Sequence, residues 1–153
     1  MAARFSKEHW EDAPGAVAQA EALKARLLQL ADDDARAYEN VLLALRMPKD
    51  VEEEVRDAAI GDALSHAADV PMTIAEAAVD VATLACELAA RGNPNLHGDA
   101  AAAVLLAEAA VRTSANLVEI NLGTREGDER LDRAREIVEI ARRISRRVVE
   151  PPP

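Results

Sequence analysis

The sequence predicts an all-α, single-domain bundle of about five helices, and three observations support this prediction. Half of the 153 residues are hydrophobic, yet the chain has one Phe, one Trp and one Tyr, with six glycines. Alanine, leucine, glutamate and arginine dominate, and they favour closely packed helices over strands. Apolar residues recur at spacings of three and four over long stretches, which indicates amphipathic helices. Since the length suits one domain with a sizeable core, residues 1–153 are assigned to one domain.

Prolines, glycines and capping residues divide the chain into helical segments. Pro14 follows Asp12 at a predicted helix start, where the missing N–H of proline costs nothing. After a break at Asp69 and Val70, Pro71 is expected to start another helix in the same way. The five predicted helices span about residues 12–46, 50–69, 71–91, 99–122 and 128–149.

The charge and the single cysteine exclude several classes of protein. With a net charge of −10 and a pI near 4.8, the chain is a poor binder of nucleic acid or of an anionic membrane. Cys86 cannot form an internal disulfide and is predicted to be a small core residue of a helix rather than a reactive thiol. We find no signal peptide and no apolar run of membrane-spanning length, so we expect a soluble, cytoplasmic protein without a membrane partner.

Metal-binding and nucleotide-binding motifs are not found in the sequence. It contains no P-loop, dinucleotide-binding glycine motif, zinc motif or nucleophile elbow, and its three histidines are too scattered to predict a metal site. Asp32, Asp33 and Asp34 point about 100° apart on a helix and cannot converge on one cation. Asp34 lies four residues before Tyr38, however, and is therefore expected to share a half-buried stripe.

Asparagine and aspartate residues are concentrated around one loop and the helix after it. Asn93, Asn95 and Asp99 frame the most turn-rich stretch, while Asn116 and Asn121 lie near the end of the following helix. Such residues close turns and cap helices, or they line a polar pocket near Asp99. Asn116 stands among apolar residues, so we predict a buried amide, which needs partners or costs about 1–3 kcal/mol.

Several segments taken in order resemble a known family. Gly92-Asn93-Pro94-Asn95 precedes Asp99-Ala100, and residues 116–122 read Asn-Leu-Val-Glu-Ile-Asn-Leu. Residues 34–38, 45–49 and 70–71 add an Asp-x-x-Ala-aromatic segment, a Leu-x-x-Pro-Lys turn and a Val-Pro helix opening. The set resembles the formiminotransferase-cyclodeaminase C-terminal domain family, which includes formiminotetrahydrofolate cyclodeaminases and methenyltetrahydrofolate cyclohydrolases.

The beginning of the chain departs from the pattern of that family. Its members usually begin with a Pro-Gly-Gly-Gly-Ser-type segment that leads into an alanine-rich helix. Here residues 1–6 resemble the end of that helix, so the glycine-rich N-terminal helix is expected to be absent. Because such a helix entrance can offer backbone N–H groups to a ligand, its absence bears on catalysis and would leave a groove for a partner chain.

The resemblance implies cyclodeamination of 5-formiminotetrahydrofolate or hydrolysis of 5,10-methenyltetrahydrofolate, with the folate as substrate and no bound cofactor or metal. Both reactions pass through a tetrahedral carbon between two nitrogens and involve a cationic amidine, which a buried carboxylate stabilises while amides hold the pterin edge. Asp99 is the leading candidate for that carboxylate, Asp34 is a second, and His97 is a candidate proton shuttle. The substrate-binding candidates are Asn93, Asn95, Asn116, Asn121 and, for a glutamate-tail carboxylate, Lys49.

Two interpretations of function therefore stay open. The leading one is an enzyme of folate one-carbon metabolism, with ammonia release and water addition not distinguished by the residues. The alternative is a catalytically inactive helical interaction or assembly module on the same scaffold. Under either interpretation a homodimer is expected, because alanine-rich helix faces can pair closely and members of the family pair through helices.

Overall fold

The structure, a computed structural model, describes residues 1–123 and 127–149, and these form four α-helices and two short 3₁₀ turns. The described residues contain no strand, which confirms the all-α prediction. The 3₁₀ turns cover Ala2–Phe5 and Pro94–Leu96. The helices are α1 (Ala13–Leu45), α2 (Glu53–Arg91), α3 (His97–Leu122) and α4 (Glu129–Val149).

The long helix α2 is the centre of the bundle, because α1, α3 and α4 all pack against it. The main core lies between α2, α3 and α4, where alanines of α2 and α4 face larger side chains of α3 such as Val111, Val118 and Leu122. A second, smaller core around Leu23 and Leu84 joins α1 to α2. Alanine loses no side-chain entropy in a helix and allows close approach of helix axes, so the bundle can pack tightly with few large residues.

A single helix α2 replaces the two helices predicted on either side of residue 70, and that prediction is wrong. Pro71 is fully buried inside α2. Because proline has no N–H, the carbonyl of Ala67, four residues earlier, loses its usual helical donor. The side-chain Nδ2 of Asn121 on α3 donates a hydrogen bond to this carbonyl oxygen at 2.9 Å. The amide thus satisfies a buried acceptor, and the helix continues through the proline.

A second set of hydrogen bonds fixes the start of α4 to the same part of α2. The Arg130 guanidinium donates to the Ser65 carbonyl oxygen at 2.8 Å and to the Ser65 hydroxyl at 2.9 Å. It also contacts the carboxylates of Asp128 at 2.7 Å and of Asp69 at 2.6 Å. The hydrogen bond to Asp128, more than the one to Asp69, raises the pKa of Arg130 against the opposing effect of burial. The start of α4 is therefore anchored to α2 at Ser65 and Asp69, just before Pro71.

The remaining helix boundaries agree in part with the sequence. The predicted bounds of α1 and α4 are confirmed to within one residue, and the carboxylate of Asp128 accepts the backbone N–H of Arg130 at 3.0 Å. The start of α2 at Asp50 is wrong, because the Val51 N–H closes a turn onto the Pro48 carbonyl and Asp50 lies inside that turn. α3 begins two residues earlier than predicted, directly after the second 3₁₀ turn.

One segment, Pro94–Leu122, is long and apolar enough to cross a membrane by length and composition alone. The sequence-based expectation that no stretch reaches this length is therefore wrong for α3, whose many alanines raise its hydropathy although charged residues interrupt it. Only 33% of its most apolar window is buried inside the bundle, which leaves a large apolar surface exposed.

Asn121→Leu should lower the free energy of unfolding by about 1–3 kcal/mol, because the Ala67 carbonyl is then buried without a donor. Asn116→Leu, at an exposed position of the same helix, is the matched control and should change it by less than about 0.5 kcal/mol. In a Pro71→Ala background, the backbone N–H of residue 71 can donate to the Ala67 carbonyl oxygen. In that background Asn121→Leu should therefore lower the free energy of unfolding by a smaller amount. Urea unfolding followed by circular dichroism measures each difference, and an equal cost in both backgrounds would contradict the pairing.

Candidate functional site at one end of the bundle

Asn93 connects the N-terminal segment to the loop between α2 and α3. Its side-chain oxygen accepts the Asn95 N–H at 3.0 Å and so caps the second 3₁₀ turn. Its side-chain Nδ2 donates to the Phe5 carbonyl at 3.3 Å, and its backbone N–H donates to the Ser6 hydroxyl at 2.9 Å. Both polar atoms of the Asn93 side chain, which was predicted to bind substrate, therefore form hydrogen bonds within the protein.

Ser6 and Gly92 make this junction tight. The buried Ser6 hydroxyl also donates to the Ala2 carbonyl at 2.9 Å, so it bridges two backbone groups. A Cβ atom at Gly92 would lie 2.5 Å from the Leu88 carbonyl oxygen and 2.8 Å from the Ser6 hydroxyl oxygen, and only glycine fits there. We call residues 92–99, with Ser6 beneath them, the loop platform.

His97 begins α3 and lines a groove of about 400 Å³ beside the loop platform. Its Nδ1 lies 3.0 Å from the Ala89 carbonyl oxygen. Since a carbonyl only accepts hydrogen bonds, Nδ1 carries the proton and Nε2 is the acceptor of the neutral ring. The ring is therefore held in the tautomer that a general base at Nε2 requires.

The same groove is also lined by Arg91 from the end of α2 and Arg147 from the end of α4. Within residues 1–123 and 127–149 neither guanidinium has an ion-pair partner, whereas most arginines of α4 do. Cys86 lies half-buried in the wall of this groove. The prediction that it belongs to the core is therefore wrong, because the preceding residue, Ala85, occupies the buried position. Among the described residues that line this groove, Glu87 is the one acidic residue, whereas Arg91 and Arg147 carry positive charge.

Asp99 is exposed in the first turn of α3, and the expectation of a buried carboxylate there is wrong. The next residue, Ala100, takes the inward position and is buried. A carboxylate in the first turn is stabilised by the positive end of the helix dipole. In the part of the chain that the structure describes, the Asp99 carboxylate has no hydrogen-bond or ion-pair partner, and neither does the exposed side chain of Asn95. Both are free to contact a ligand.

Asn116 is exposed, so the predicted buried amide is also wrong. Its apolar neighbours Ala115 and Val118 point into the core. Successive residues of a helix are rotated by about 100° around its axis, so Asn116 lies on a different face. Asn116 instead lines a groove of about 450 Å³ between α3 and α4, together with Glu119 and Arg135.

The other candidates lie far from the loop platform within one chain. Lys49 is exposed in the turn between α1 and α2, at the opposite end of α2. Asp34 on α1 is half-buried as expected, but Tyr38 is 62% exposed, so the half-buried stripe does not extend to it. Asp99 and Asn121 are separated by 22 positions of α3, or roughly 33 Å. Within one chain, Asn93, Asn95, His97 and Asp99 are the candidates that belong to the loop platform, and among these four His97 lines the groove.

Two groups at this end of the bundle were not predicted from the sequence: Ser6 and Arg91. Ser6 lies in a short irregular segment with no periodic signal, and a basic residue such as Arg91 is typical of the last turn of any helix. Among the described residues, no group of three His, Cys, Asp or Glu side chains could hold a metal ion.

Comparison with known proteins decides the family. Residues 2–139 match the formiminotransferase-cyclodeaminase family. The chain belongs to this family. It is 37% identical over 105 residues to a methenyltetrahydrofolate cyclohydrolase of Methylorubrum extorquens, which covers 67% of this chain and 50% of that protein. It is also 37% identical over 103 residues to the formimidoyltransferase-cyclodeaminase of Sus scrofa, covering 66% of this chain and 19% of that protein.

A solved structure of the family has the same fold. The crystal structure of formiminotetrahydrofolate cyclodeaminase from Thermotoga maritima superposes with a TM-score of 0.78 at 26% identity. The similarity covers 97% of this chain and 76% of that chain. The stretch matched in the two curated relatives is about half of one protein and a fifth of the other.

Gly92→Ala should lower the free energy of unfolding by more than about 1 kcal/mol, because the added methyl group meets a backbone carbonyl and the Ser6 hydroxyl. Gly98→Ala is the matched control, since a Cβ there has no neighbour within 4 Å and alanine favours the helix. Thermal unfolding of the two variants compares them directly. Equal melting temperatures would mean that the loop platform is not packed as described.

Proposed function

We propose that this chain catalyses a one-carbon reaction on a tetrahydrofolate, either cyclodeamination of 5-formiminotetrahydrofolate or hydrolysis of 5,10-methenyltetrahydrofolate. The observation that carries the proposal is the groove that His97 lines together with Arg91 and Arg147, with Nδ1 of the His97 ring held by the Ala89 carbonyl oxygen. Relatives named as a cyclohydrolase and as cyclodeaminases support the substrate class.

The two reactions place the same demands on these residues. In cyclodeamination, N10 attacks the formimino carbon on N5, a proton is delivered to the departing nitrogen, and ammonia leaves. In hydrolysis, water adds to the cationic methenyl carbon, loses a proton to a base, and the C–N5 bond breaks to give 10-formyltetrahydrofolate. The Asp99 carboxylate stabilises the cationic amidine, and Nε2 of His97 accepts or returns the proton.

The rest of the groove suits the remainder of a folate. Arg91 and Arg147 offer guanidinium groups to carboxylates, and arginine binds carboxylates in a bidentate manner. Asn95 is available to the pterin edge, while Asn93 orients the turn that carries it. Lys49, Asp34, Asn116 and Asn121 keep their proposed roles only if a second copy of the chain brings them to this groove.

Asp99→Asn should lower kcat/KM for 5,10-methenyltetrahydrofolate by at least about 100-fold, because the amide cannot neutralise the cation. His97→Gln should lower kcat by about 10²-fold with a smaller change in KM, since it removes proton transfer. Asp32→Asn, an exposed carboxylate on α1, is the matched control. Loss of the methenyl absorbance follows hydrolysis, and ammonia release from the formimino substrate follows cyclodeamination.

The outcome of these assays decides between the proposed functions. Full activity of Asp99→Asn would remove Asp99 from the mechanism. A folded native protein that turns over neither substrate would favour the second candidate, a catalytically inactive assembly module. The exposed apolar surface of α3 is the observation that favours this second candidate, because an assembly module needs such a surface.

Three further properties belong to the same proposal. We place the protein in the cytoplasm, where its acidic surface keeps it dispersed. The tetrahydrofolate derivative serves as substrate, without a resident cofactor. The protein acts as a homodimer and requires neither nucleic acid nor a membrane as partner.

A further inference from the structure

The N-terminal segment, residues 1–12, is fixed to the second, smaller core, which joins α1 to α2. Ala3 is buried in that core, and Trp10 packs against it. Between these two residues, the Ser6 carbonyl oxygen accepts the Trp10 N–H at 2.8 Å, and the Ser6 N–H donates to the Ala3 carbonyl oxygen at 3.2 Å. The backbone of Ser6 is therefore held by hydrogen bonds to two residues that are anchored in the core.

The side chain of Ser6 connects this fixed segment to the start of the α2–α3 loop. Its hydroxyl, which is only 1% exposed with the rest of the residue, accepts the backbone N–H of Asn93 at 2.9 Å. The same hydroxyl donates its proton to the Ala2 carbonyl oxygen at 2.9 Å. A hydroxyl can accept and donate at once, whereas the methyl group of an alanine can do neither. Alanine at this position would therefore leave the Asn93 N–H without its acceptor.

Hydrogen bonds within the loop connect Asn93 to His97. The Asn93 carbonyl oxygen accepts the Leu96 N–H at 2.9 Å, and the Asn93 side chain accepts the Asn95 N–H at 3.0 Å. The backbone N–H of His97 donates to the Pro94 carbonyl oxygen. These three bonds close one tight turn, so the position of Asn93 determines where the backbone of His97 lies.

We propose that Ser6 is a positioning residue for His97. By holding Asn93, it keeps the His97 ring on the Ala89 carbonyl oxygen, with Nδ1 as the donor and Nε2 as the acceptor. The ring is exposed, and a single hydrogen bond of an exposed side chain contributes little by itself, so its geometry depends on the backbone that carries it. Because Ser6 is buried beneath the loop platform, it acts on a ligand only through the residues that it holds.

The first experiment examines the His97 ring in the full chain without any substrate. Long-range ¹H–¹⁵N correlation spectra of the protein labelled with [¹⁵N]histidine distinguish the two neutral tautomers in alkaline buffer, where the ring is uncharged. Native His97 should give the shifts of the Nδ1–H tautomer. Ser6→Ala should move both ring nitrogen shifts toward those of a tautomer mixture, since the ring is no longer held at the carbonyl. The peaks that disappear in His97→Gln assign the signals.

Ser114→Ala is the matched control, because Ser114 is also a buried serine, at 5% exposure. It lies 17 positions after His97 on α3, or roughly 25 Å away. This variant should leave the His97 ring shifts unchanged. If Ser6→Ala does not fold by circular dichroism, Asn93→Ala gives the same test, because it removes the side-chain bonds of the same link at a half-buried position.

A kinetic experiment extends the test to the reaction and rests on the proposed function. Ser6→Ala should lower kcat for 5,10-methenyltetrahydrofolate by about 10-fold with a smaller change in KM, because a displacement of about 1 Å impairs a catalytic group. In a His97→Gln background, Ser6→Ala should change kcat by less than about twofold, since no imidazole is left to position. A residue that only stabilises the fold would lower kcat by the same factor in both backgrounds.

Three outcomes would overturn the proposal: unchanged His97 ring shifts in Ser6→Ala and Asn93→Ala, equal shift changes in Ser114→Ala, or an equal loss of kcat in both backgrounds. The result is separable from the proposed function, because the ring shifts are measured without substrate. Ring shifts that move as expected in a protein without turnover support the positioning role and refute only the enzyme. Full turnover with unchanged ring shifts refutes only the positioning role.

Discussion

The hydrogen bond from the Asn121 side chain to the Ala67 carbonyl is the contact on which the arrangement of the bundle depends. Pro71 removes the donor that this carbonyl would otherwise have, and the helix around it is buried. Because Asn121 of α3 satisfies this acceptor, α2 continues as one helix for 39 residues, and the other three helices pack against it. The α2–α3 loop is then positioned at one end of α2, where Gly92 and Asn93 meet the N-terminal segment.

The shortage of large side chains has two consequences. Buried alanines bring α2, α3 and α4 into close contact, so the core depends on many small van der Waals contacts rather than on aromatic residues. The same composition gives α3 alanines and leucines on its outer face as well as its inner face. A helix that is apolar on most of its surface is most stable in water when that surface is covered.

Much of the fold could be predicted from the sequence, because periodicity and helix-ending residues are local signals. The bounds of α1 and α4 followed from them, whereas the predicted division of α2 at Pro71 was wrong. The Asn121 side chain that satisfies the free Ala67 carbonyl lies 54 positions away from it along the chain, so no local signal indicates this hydrogen bond. For the same reason the partner of Asn93 could not be predicted, since Ser6 is separated from it by 87 positions and belongs to no periodic pattern. Asn116 was misplaced because apolar sequence neighbours do not share its face of the helix.

The candidate site was predicted in outline and corrected in detail. Of the motif residues Asn93, Asn95, His97 and Asp99, His97 lines the groove, whereas Asp99 is open to solvent. The positive groups Arg91 and Arg147 come from helix ends that sequence patterns do not bring together. Under the proposed function, this end of the bundle binds a folate.

Nuclear magnetic resonance of the ¹⁵N-labelled protein, titrated with 5-formyltetrahydrofolate as a stable analogue, tests that claim most directly. We expect saturable shifts of backbone amides in residues 91–100 and at Arg147. Shifts confined to the far end of the bundle around Lys49, or no saturable shift at all, would contradict it.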